Sequence, residues 1–344
     1  MGNYAWRSMM KNTALLYEKY KDNILHCFLC SHHCKIADEK FGFCGVRQNI
    51  GGALYTLVYG DIVARHVDPV EKKPLYHFLP GSYSYSIATI GCNFRCGFCQ
   101  NWQISQAGMK DGATSGAFTK PEQVVEEALT NECCSISYTY TEPTIYFEYA
   151  YDISRLAGKA GLYNVFVTNG YMTRECIETV HPYLHAANID LKSFRNDFYT
   201  KICKGTLQPV LDSIRLMKKL DIWVEVTTLL IPDQNDSDEE LQDIAAFLAE
   251  TGKEIPWHIS AFHPDYRFDA SAPTPIESLR RARDIGLRHG LRYVYMGNVP
   301  EGSDTYCYNC REPLIHRRFF TAEKINMNNG ACAVCSAPID GVWK

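Results

Sequence analysis

The chain has 344 residues, 46% of them hydrophobic and 22% charged, which predicts a sizeable core in one large domain with appendages or in two ordinary ones. A formal net charge of −4 argues against a protein that coats phosphate backbones. No apolar run reaches the ~18 residues needed to span a bilayer.

The opening stretch, "MGNYAWRSMMKNTALLYEKYKDN", lacks the charged start and pure apolar segment of a signal peptide. It begins Met-Gly, but Trp6 stands where a myristoylation signal has Ser or Thr. A soluble, cytoplasmic protein without membrane partners is the expectation. Fifteen cysteines fit a secreted disulfide scaffold poorly, because such scaffolds are short and loop-rich. The cysteines cluster instead, and short Cys-to-Cys spacings in a reduced compartment point to metal. Cys133, Cys134, Cys176 and Cys203 stand outside the clusters and read as small buried apolar residues.

The first cluster, Cys27-x2-Cys30-x3-Cys34-x9-Cys44, lies in an N-terminal cysteine-rich extension over residues 1–80. Its spacing is less standard than a pair of CxxC knuckles, and His26, His32 and His33 add alternative ligands. A second structural zinc or an auxiliary iron–sulfur cluster would satisfy it, and structural metal is the reading taken. The lysines of "VEKKPLYHF" read as solvated.

From residue 83 strand-like and helix-like runs alternate. The segments 83–90, 135–143, 163–170, 186–193, 222–232 and 257–262 are β-branched and aromatic and close on turn residues. "RYVYMGN" (292–298) reads as one more short strand. Between them, "TKPEQVVEEALT" (119–130) predicts a helix with Thr119 as N-cap and Pro121 in its first turn. An aromatic helix follows over 144–158, then "PVLDSIRLMKKL", "SDEELQDIAAFLAE" and "TPIESLRRARDIGLRHG". Ser237 with Glu240 is a capping-box pattern.

A closed barrel usually needs about eight β/α units over ~250 residues. Six repeats within residues 81–300 predict an α/β fold of the partial (β/α)6 TIM-type barrel kind. Chemistry then belongs at the C-terminal ends of the strands. Asn93, Glu142, Asn169, Asp190 with Lys192, and His263 all fall there.

The first of those ends carries "GCNFRCGFCQNW", with Cys92, Cys96 and Cys99 in one loop. A cubane iron–sulfur cluster normally takes four thiolates. Three from one loop leave two possibilities, a distant fourth cysteine in an electron-transfer centre, or one iron open to an outside ligand, as in catalytic zinc sites. A zinc knuckle fits less well, since no Cys or His follows at knuckle spacing.

Cys-x3-Cys-x2-Cys with Phe98 before the last cysteine resembles the signature of radical S-adenosylmethionine (SAM) enzymes. The resemblance implies a [4Fe–4S] cluster on Cys92, Cys96 and Cys99 whose open iron binds SAM. Reduction would then cleave SAM to a 5′-deoxyadenosyl radical that abstracts hydrogen. "YTEP" (140–143) resembles the strand motif whose acid meets the SAM amino group, here Glu142, although Tyr140 and Thr141 replace the usual glycines. "DLK" (190–192), "VTNG" (167–170), "AFHP" (261–264) and "LIPDQND" resemble strand ends of glycyl-radical-enzyme activases. They imply SAM contacts at Asp190, Lys192, Asn169 and His263. Plainer roles exist for each: a helix N-terminal acid at Glu142, an ion pair at Asp190 and Lys192, a turn at Asn169-Gly170, and a satisfied histidine at His263. "CFLCSHHCKIADEKFGFCGVRQN", "DPVEKKPLYHFLPG", "YTYTEPT", "WHISAFHPDYRF" and "YVYMGNVP…YCYNC", together with the cysteine loop, resemble the AmmeMemoRadiSam-system radical SAM proteins, relatives of those activases. That resemblance implies a reductant such as flavodoxin or ferredoxin. It leaves room for a protein substrate or for the companion proteins of that system as partners.

The third cluster, Cys307-x2-Cys310-x21-Cys332-x2-Cys335, is a pair of CxxC knuckles in a C-terminal module over 301–344. The spacing is that of a zinc ribbon or rubredoxin-like site, and zinc is the expected ion. "HRRFF" (316–320) puts base beside aromatic as single-strand binders do, but no wider basic patch supports nucleic acid as a partner. Three functions follow from the sequence: a radical SAM enzyme with an unidentified substrate, an activase installing a glycyl radical on a partner protein, or a metal-cluster binding protein without SAM turnover.

Overall fold

The computed structural model describes residues 12–108, 116–269 and 271–343; the Met-Gly start and Trp6 lie outside them. An eight-stranded sheet organises the molecule: β1 (Ala64–Pro69), β2 (Tyr83–Ala88), β3 (Ser135–Tyr138), β4 (Tyr163–Thr168), β5 (Ala186–Asp190), β6 (Trp223–Leu230), β7 (Trp257–Ala261) and β8 (Val294–Gly297), in that spatial order. From β2 to β8 every neighbouring pair is parallel, and β1 alone runs antiparallel, beside β2. Parallel strands need long crossovers, and these are α1 (Pro121–Thr130), α2 (Phe147–Lys159), α3 (Arg174–Val180), α4 (Gln208–Lys219), α5 (Asp238–Thr251) and α6 (Ile276–Arg288). Six β/α units thus precede the last strand, and among the described residues β1 and β8 are the edges of an open, partial barrel. Covered on both faces, β5 and β6 are nearly continuous in burial, as parallel strands are. Gly286 shows how closely the helical layer sits, because a Cβ there would stand 3.0 Å from the Trp257 ring.

Two caps differ from expectation. Lys120, not Thr119, is the N-cap of α1, and its N–H donates to Gln123 Oε1 at 2.9 Å. The Thr119 hydroxyl is taken instead by Arg65 Nη2 at 2.8 Å. Ser237 caps α5 through the Glu240 N–H, but the Glu240 carboxylate turns inward to the Ser193 hydroxyl and the Phe194 N–H. A tertiary partner has replaced half of the capping box.

The N-terminal residues form two small antiparallel sheets, one of Tyr17–Lys21, Ile24–Cys27 and Cys34–Ile36, the other of Asn12–Thr13, Arg47–Ile50 and Ala53–Thr56. They dock on the barrel through Thr173 Oγ1, which donates to Phe28 O at 2.7 Å, and through a buried ion pair of Arg47 with Glu148. The segment after β1 then runs along the inside of the sheet. Asn188 Nδ2 donates to Pro74 O at 2.8 Å, and the Glu225 carboxylate accepts the Tyr76 and His77 N–H groups at 3.0 and 2.8 Å. At the C-terminus the sheet of Thr305–Tyr306, Pro313–Arg318 and Thr321–Lys324 packs against this segment, and Val342 exchanges backbone hydrogen bonds with His77 and Leu79 at 2.7 and 2.8 Å. Arg317 is 3% exposed, donating to Tyr76 O and lying 4.2 Å over the Tyr76 ring. The basic centre of "HRRFF" therefore holds the fold together, while Arg318, Phe319 and Phe320 are exposed, Phe319 most of all at 89%. No helix among the described residues is long and apolar enough to cross a membrane.

Candidate active site at the strand ends

Cys92, Cys96 and Cys99 line a cavity of about 560 Å³, together with Asn169, Asp190 and Lys192. The cavity lies at the C-terminal ends of the parallel strands, where β/α folds leave backbone groups and loops free for chemistry. Irregular backbone holds the cysteine loop. Gly91 sits at φ +96°, a conformation glycine adopts without penalty. Arg95 clamps the loop from inside, donating through Nη1 to Cys92 O at 2.6 Å and to Phe94 O at 2.8 Å. The Phe94 N–H points at Cys92 Sγ at 3.3 Å, and the Ser105 hydroxyl lies 3.1 Å from Cys99 Sγ. Burial first, then the Glu142 charge, push the Cys92 thiol up. Cys96 is also raised, first by a hydrogen bond to Cys203 and then by burial. Cys203, read as a small buried apolar residue, is buried in the core and stands against the loop.

Asn169 is tied to that loop from β4. Its Nδ2 donates to Asn93 Oδ1 at 2.7 Å and lies 3.8 Å from Cys92 Sγ. Gly170 turns the chain at φ +70°, and a Cβ there would meet Ile189 at 2.8 Å. Asp190 and Lys192 pair at 2.8 Å. Burial draws the Lys192 ammonium down, but Asp190 and the nearby cysteines outweigh it and hold the group well above its ordinary value.

Glu142 does not line the cavity. It is buried behind the wall, accepting from Thr144 N, Thr144 Oγ1, Thr168 Oγ1 and Asn169 N at 3.1, 2.5, 2.7 and 2.8 Å. Burial pushes its carboxyl up against these four hydrogen bonds. The preceding Tyr140 and Thr141 form the wall instead. Tyr140 sits at φ +62°, a strained conformation for a residue with a side chain and an ordinary one for glycine. Its hydroxyl bond to Asp68 at 2.5 Å and the Lys73 ammonium 4.7 Å from its ring hold it there.

His263, just past the end of β7, is exposed and not among the residues that line the cavity. Residues that sequence reasoning passed over take its place. Lys72 and Lys73 line the cavity, and Lys73 is 1% exposed and paired with Asp68 at 2.6 Å. Neither lysine is simply solvated. Burial lowers the Lys73 ammonium to about 8. Ser260 and Asn298 complete the rim from β7 and the end of β8.

The other cysteine groups differ from each other in shape. The Sγ atoms of Cys307, Cys310, Cys332 and Cys335 all lie within 4.8 Å, with Cys307–Cys335 at 3.6 Å and Cys310–Cys332 at 3.7 Å. A tetrahedral thiolate ion with bonds of about 2.3 Å has sulfur–sulfur edges of roughly 3.8 Å. This group can hold one metal ion as it stands. Among the described residues no other set of three or more His, Cys, Asp or Glu is drawn so close. Cys27, Cys30, Cys34 and Cys44 are spread wider, as are Cys92, Cys96 and Cys99.

Residues 86–248 match the Radical SAM superfamily. An uncharacterized protein of Methanocaldococcus jannaschii is 47% identical over 332 residues, covering 95% of this chain and 98% of its own. A candidate glycyl-radical enzyme activating enzyme of the same organism is 26% identical over 219 residues, 62% of this chain and 78% of its own. Among solved structures, a domain of pyruvate-formate lyase-activating enzyme from Bacteroides vulgatus covers 48% of this chain and 99% of its own at 21% identity and TM-score 0.43. Streptococcus suis SuiB bound to precursor peptide SuiA covers 67% and 51% at 14% identity and TM-score 0.49. The superfamily match implies a [4Fe–4S] cluster and SAM, and three thiols opening on one cavity are a donor set that fits them. Asn93 Nδ2, buried in the same loop without a partner among the described residues, leaves a donor unspent there. The matched segment begins in β2 and carries the whole Cys-x3-Cys-x2-Cys loop, and on that ground the chain carries a radical SAM domain and is an enzyme of that type.

Proposed function

We propose that this protein reductively cleaves SAM and uses the resulting 5′-deoxyadenosyl radical to abstract hydrogen from a substrate. The observation that carries the reading is the convergence of Cys92, Cys96 and Cys99 with Asn169, Asp190 and Lys192 on one cavity. Bound to the three thiolates, a [4Fe–4S] cluster supplies one electron and an open iron for SAM. The protein does the rest by position. Asn169 fixes the cysteine loop against β4, Lys192 and Asp190 offer charge of both signs to a zwitterionic ligand, and Glu142 supports the Asn169 backbone from behind. A cavity set among the strand ends would limit the access of water to a radical intermediate. Membership of the AmmeMemoRadiSam-system branch belongs to the same proposal, supported by the sequence stretches quoted above.

The test is anaerobic reconstitution, addition of dithionite and SAM, and measurement of 5′-deoxyadenosine against a Cys96→Ala control. Production by the wild type alone supports the reading; a loaded, reduced protein that neither binds nor cleaves SAM sinks it. The likeness to a candidate activating enzyme over 62% of the chain favours a second reading, in which the hydrogen donor is a backbone glycine of a partner protein. Deuterium from that glycine would then appear in 5′-deoxyadenosine.

A further inference from the structure

We propose that Cys27, Cys30, Cys34 and Cys44 hold a second iron–sulfur cluster, placed to feed electrons to the Cys92 loop, and not a structural zinc ion. The fold gathers these thiols from separate places. Cys27 and Cys34 face each other across two paired strands, Cys30 sits in the turn between them, and Cys44 arrives just before Arg47–Ile50. Cys27, Cys34 and Cys44 all lie within electrostatic reach of Cys30.

Each sulfur also receives an N–H donor. Arg47 Nη1 lies 3.5 Å from Cys27 Sγ and the Phe43 N–H 3.4 Å from Cys34 Sγ. Backbone N–H groups of His32 and Val46 serve Cys30 and Cys44. Hydrogen bonds to sulfur stabilise thiolates and tune cluster potentials. Cys176, a core cysteine, shows no such bond among the influences on it.

The neighbouring histidines are already used. His26 bonds Glu18 at 2.9 Å and His33 at 3.3 Å, and His32 Nε2 donates to Asn93 O at 2.6 Å. The four thiols make a complete ligand set without them. Their spacing points to a cluster rather than to a single ion. One tetrahedral ion needs the spacing of Cys307, Cys310, Cys332 and Cys335, all within 4.8 Å. A cubane spreads its ligands over a wider shell, and the N-terminal four, like Cys92, Cys96 and Cys99, do not close to that distance.

Position supplies the role. The His32 bond reaches the residue next to Cys92, and Arg95 bridges the two groups by donating to Cys92 O and, through Nη2, to Phe43 O at 2.6 Å. An external one-electron carrier of the ferredoxin or flavodoxin class reduces the N-terminal cluster. That cluster returns to its oxidised state as the electron passes through His32 and Asn93. This electron supply rests on the SAM-cleavage reading, whereas the cluster assignment does not.

The test removes the central site and leaves the N-terminal one untouched. The full chain carrying Cys92→Ala, Cys96→Ala and Cys99→Ala is purified anaerobically and analysed for iron, sulfide and zinc. The expected result is about four irons and four sulfides per chain, with a paramagnetic signal on dithionite reduction. Adding Cys34→Ser should abolish that signal. Iron at background with zinc at about two per chain would overturn the assignment, as would no metal beyond the C-terminal site. If the triple variant keeps its iron while wild type fails to bind SAM, the proposed function falls and this inference stands.

Discussion

The Glu142 carboxylate and the Asn169 backbone N–H are bonded at 2.8 Å, so the acid after β3 sets the height of the amide after β4. Because Asn169 Nδ2 in turn holds Asn93 at 2.7 Å, the cysteine loop rests on a relay that starts at Glu142. Glu142→Gln places an N–H₂ donor where N–H and O–H donors already point. Leaving a buried donor unmet costs about 1–3 kcal/mol. Reduced thermal stability and roughly tenfold weaker SAM binding, equivalent to about 1.4 kcal/mol, are expected in calorimetry. Unchanged SAM affinity in a folded variant would show that Glu142 does not position the site.

Lys73 and Asp68 form a buried pair, and removing one partner of such a pair costs about 3–5 kcal/mol. Lys72 also reaches Asp68, at 2.8 Å, so Lys73→Met should cost less, about 2 kcal/mol in urea unfolding. Adding Asp68→Asn should restore part of that loss. Strict additivity of the two substitutions would deny the coupling.

At the C-terminal module, Cys310 is the exposed member of the four-thiol group. Replacement by Ser should lower bound metal by about one ion per chain and leave the helical circular dichroism of the barrel intact. Zinc is the ion expected by elemental analysis. Metal content equal to wild type would separate this cluster from metal binding altogether.

His77 is buried, accepts from the Tyr295 hydroxyl at 2.5 Å and donates through Nδ1 to Asp340 O at 2.6 Å. Burial lowers its imidazole to about 4, against about 6.5 when unfolded. Between those values only the unfolded chain takes up the proton, so stability is lost as pH falls from about 6.5 to 4, by roughly 3 kcal/mol at full extent. Denaturation midpoints of wild type and His77→Gln across that window isolate the contribution, and parallel curves for the two would refute it.

The strands were legible because β-branched and aromatic runs ended at turn residues, and the structure keeps them to within a few positions. The three cysteines of the central loop could be found because their spacing is local. Lys73 could not, since its burial depends on Asp68 and on a segment drawn inside the sheet by Asn188 and Glu225. Nor could the nearness of Cys203 to Cys96, which arises when the helical turn Tyr199–Cys203 folds back on the cysteine loop. His263 follows a strand end as the sequence suggests, yet its side chain is exposed and not among the residues that line the cavity. Tyr140 is the opposite case, a departure from the glycine pattern that keeps glycine's backbone angle and uses the added ring to hold Lys73.

The backbone stitch between Val342 and His77–Leu79 ties the far end of the chain to the same strap that presents Lys72 and Lys73 to the cavity. A chain shortened before Val342 would lose that seam from the side opposite the chemistry. Loosening would then travel along the strap toward the two lysines, although no cavity residue had been altered. For this protein, where the polypeptide is cut or tagged at its C-terminal end is a choice about the cavity wall.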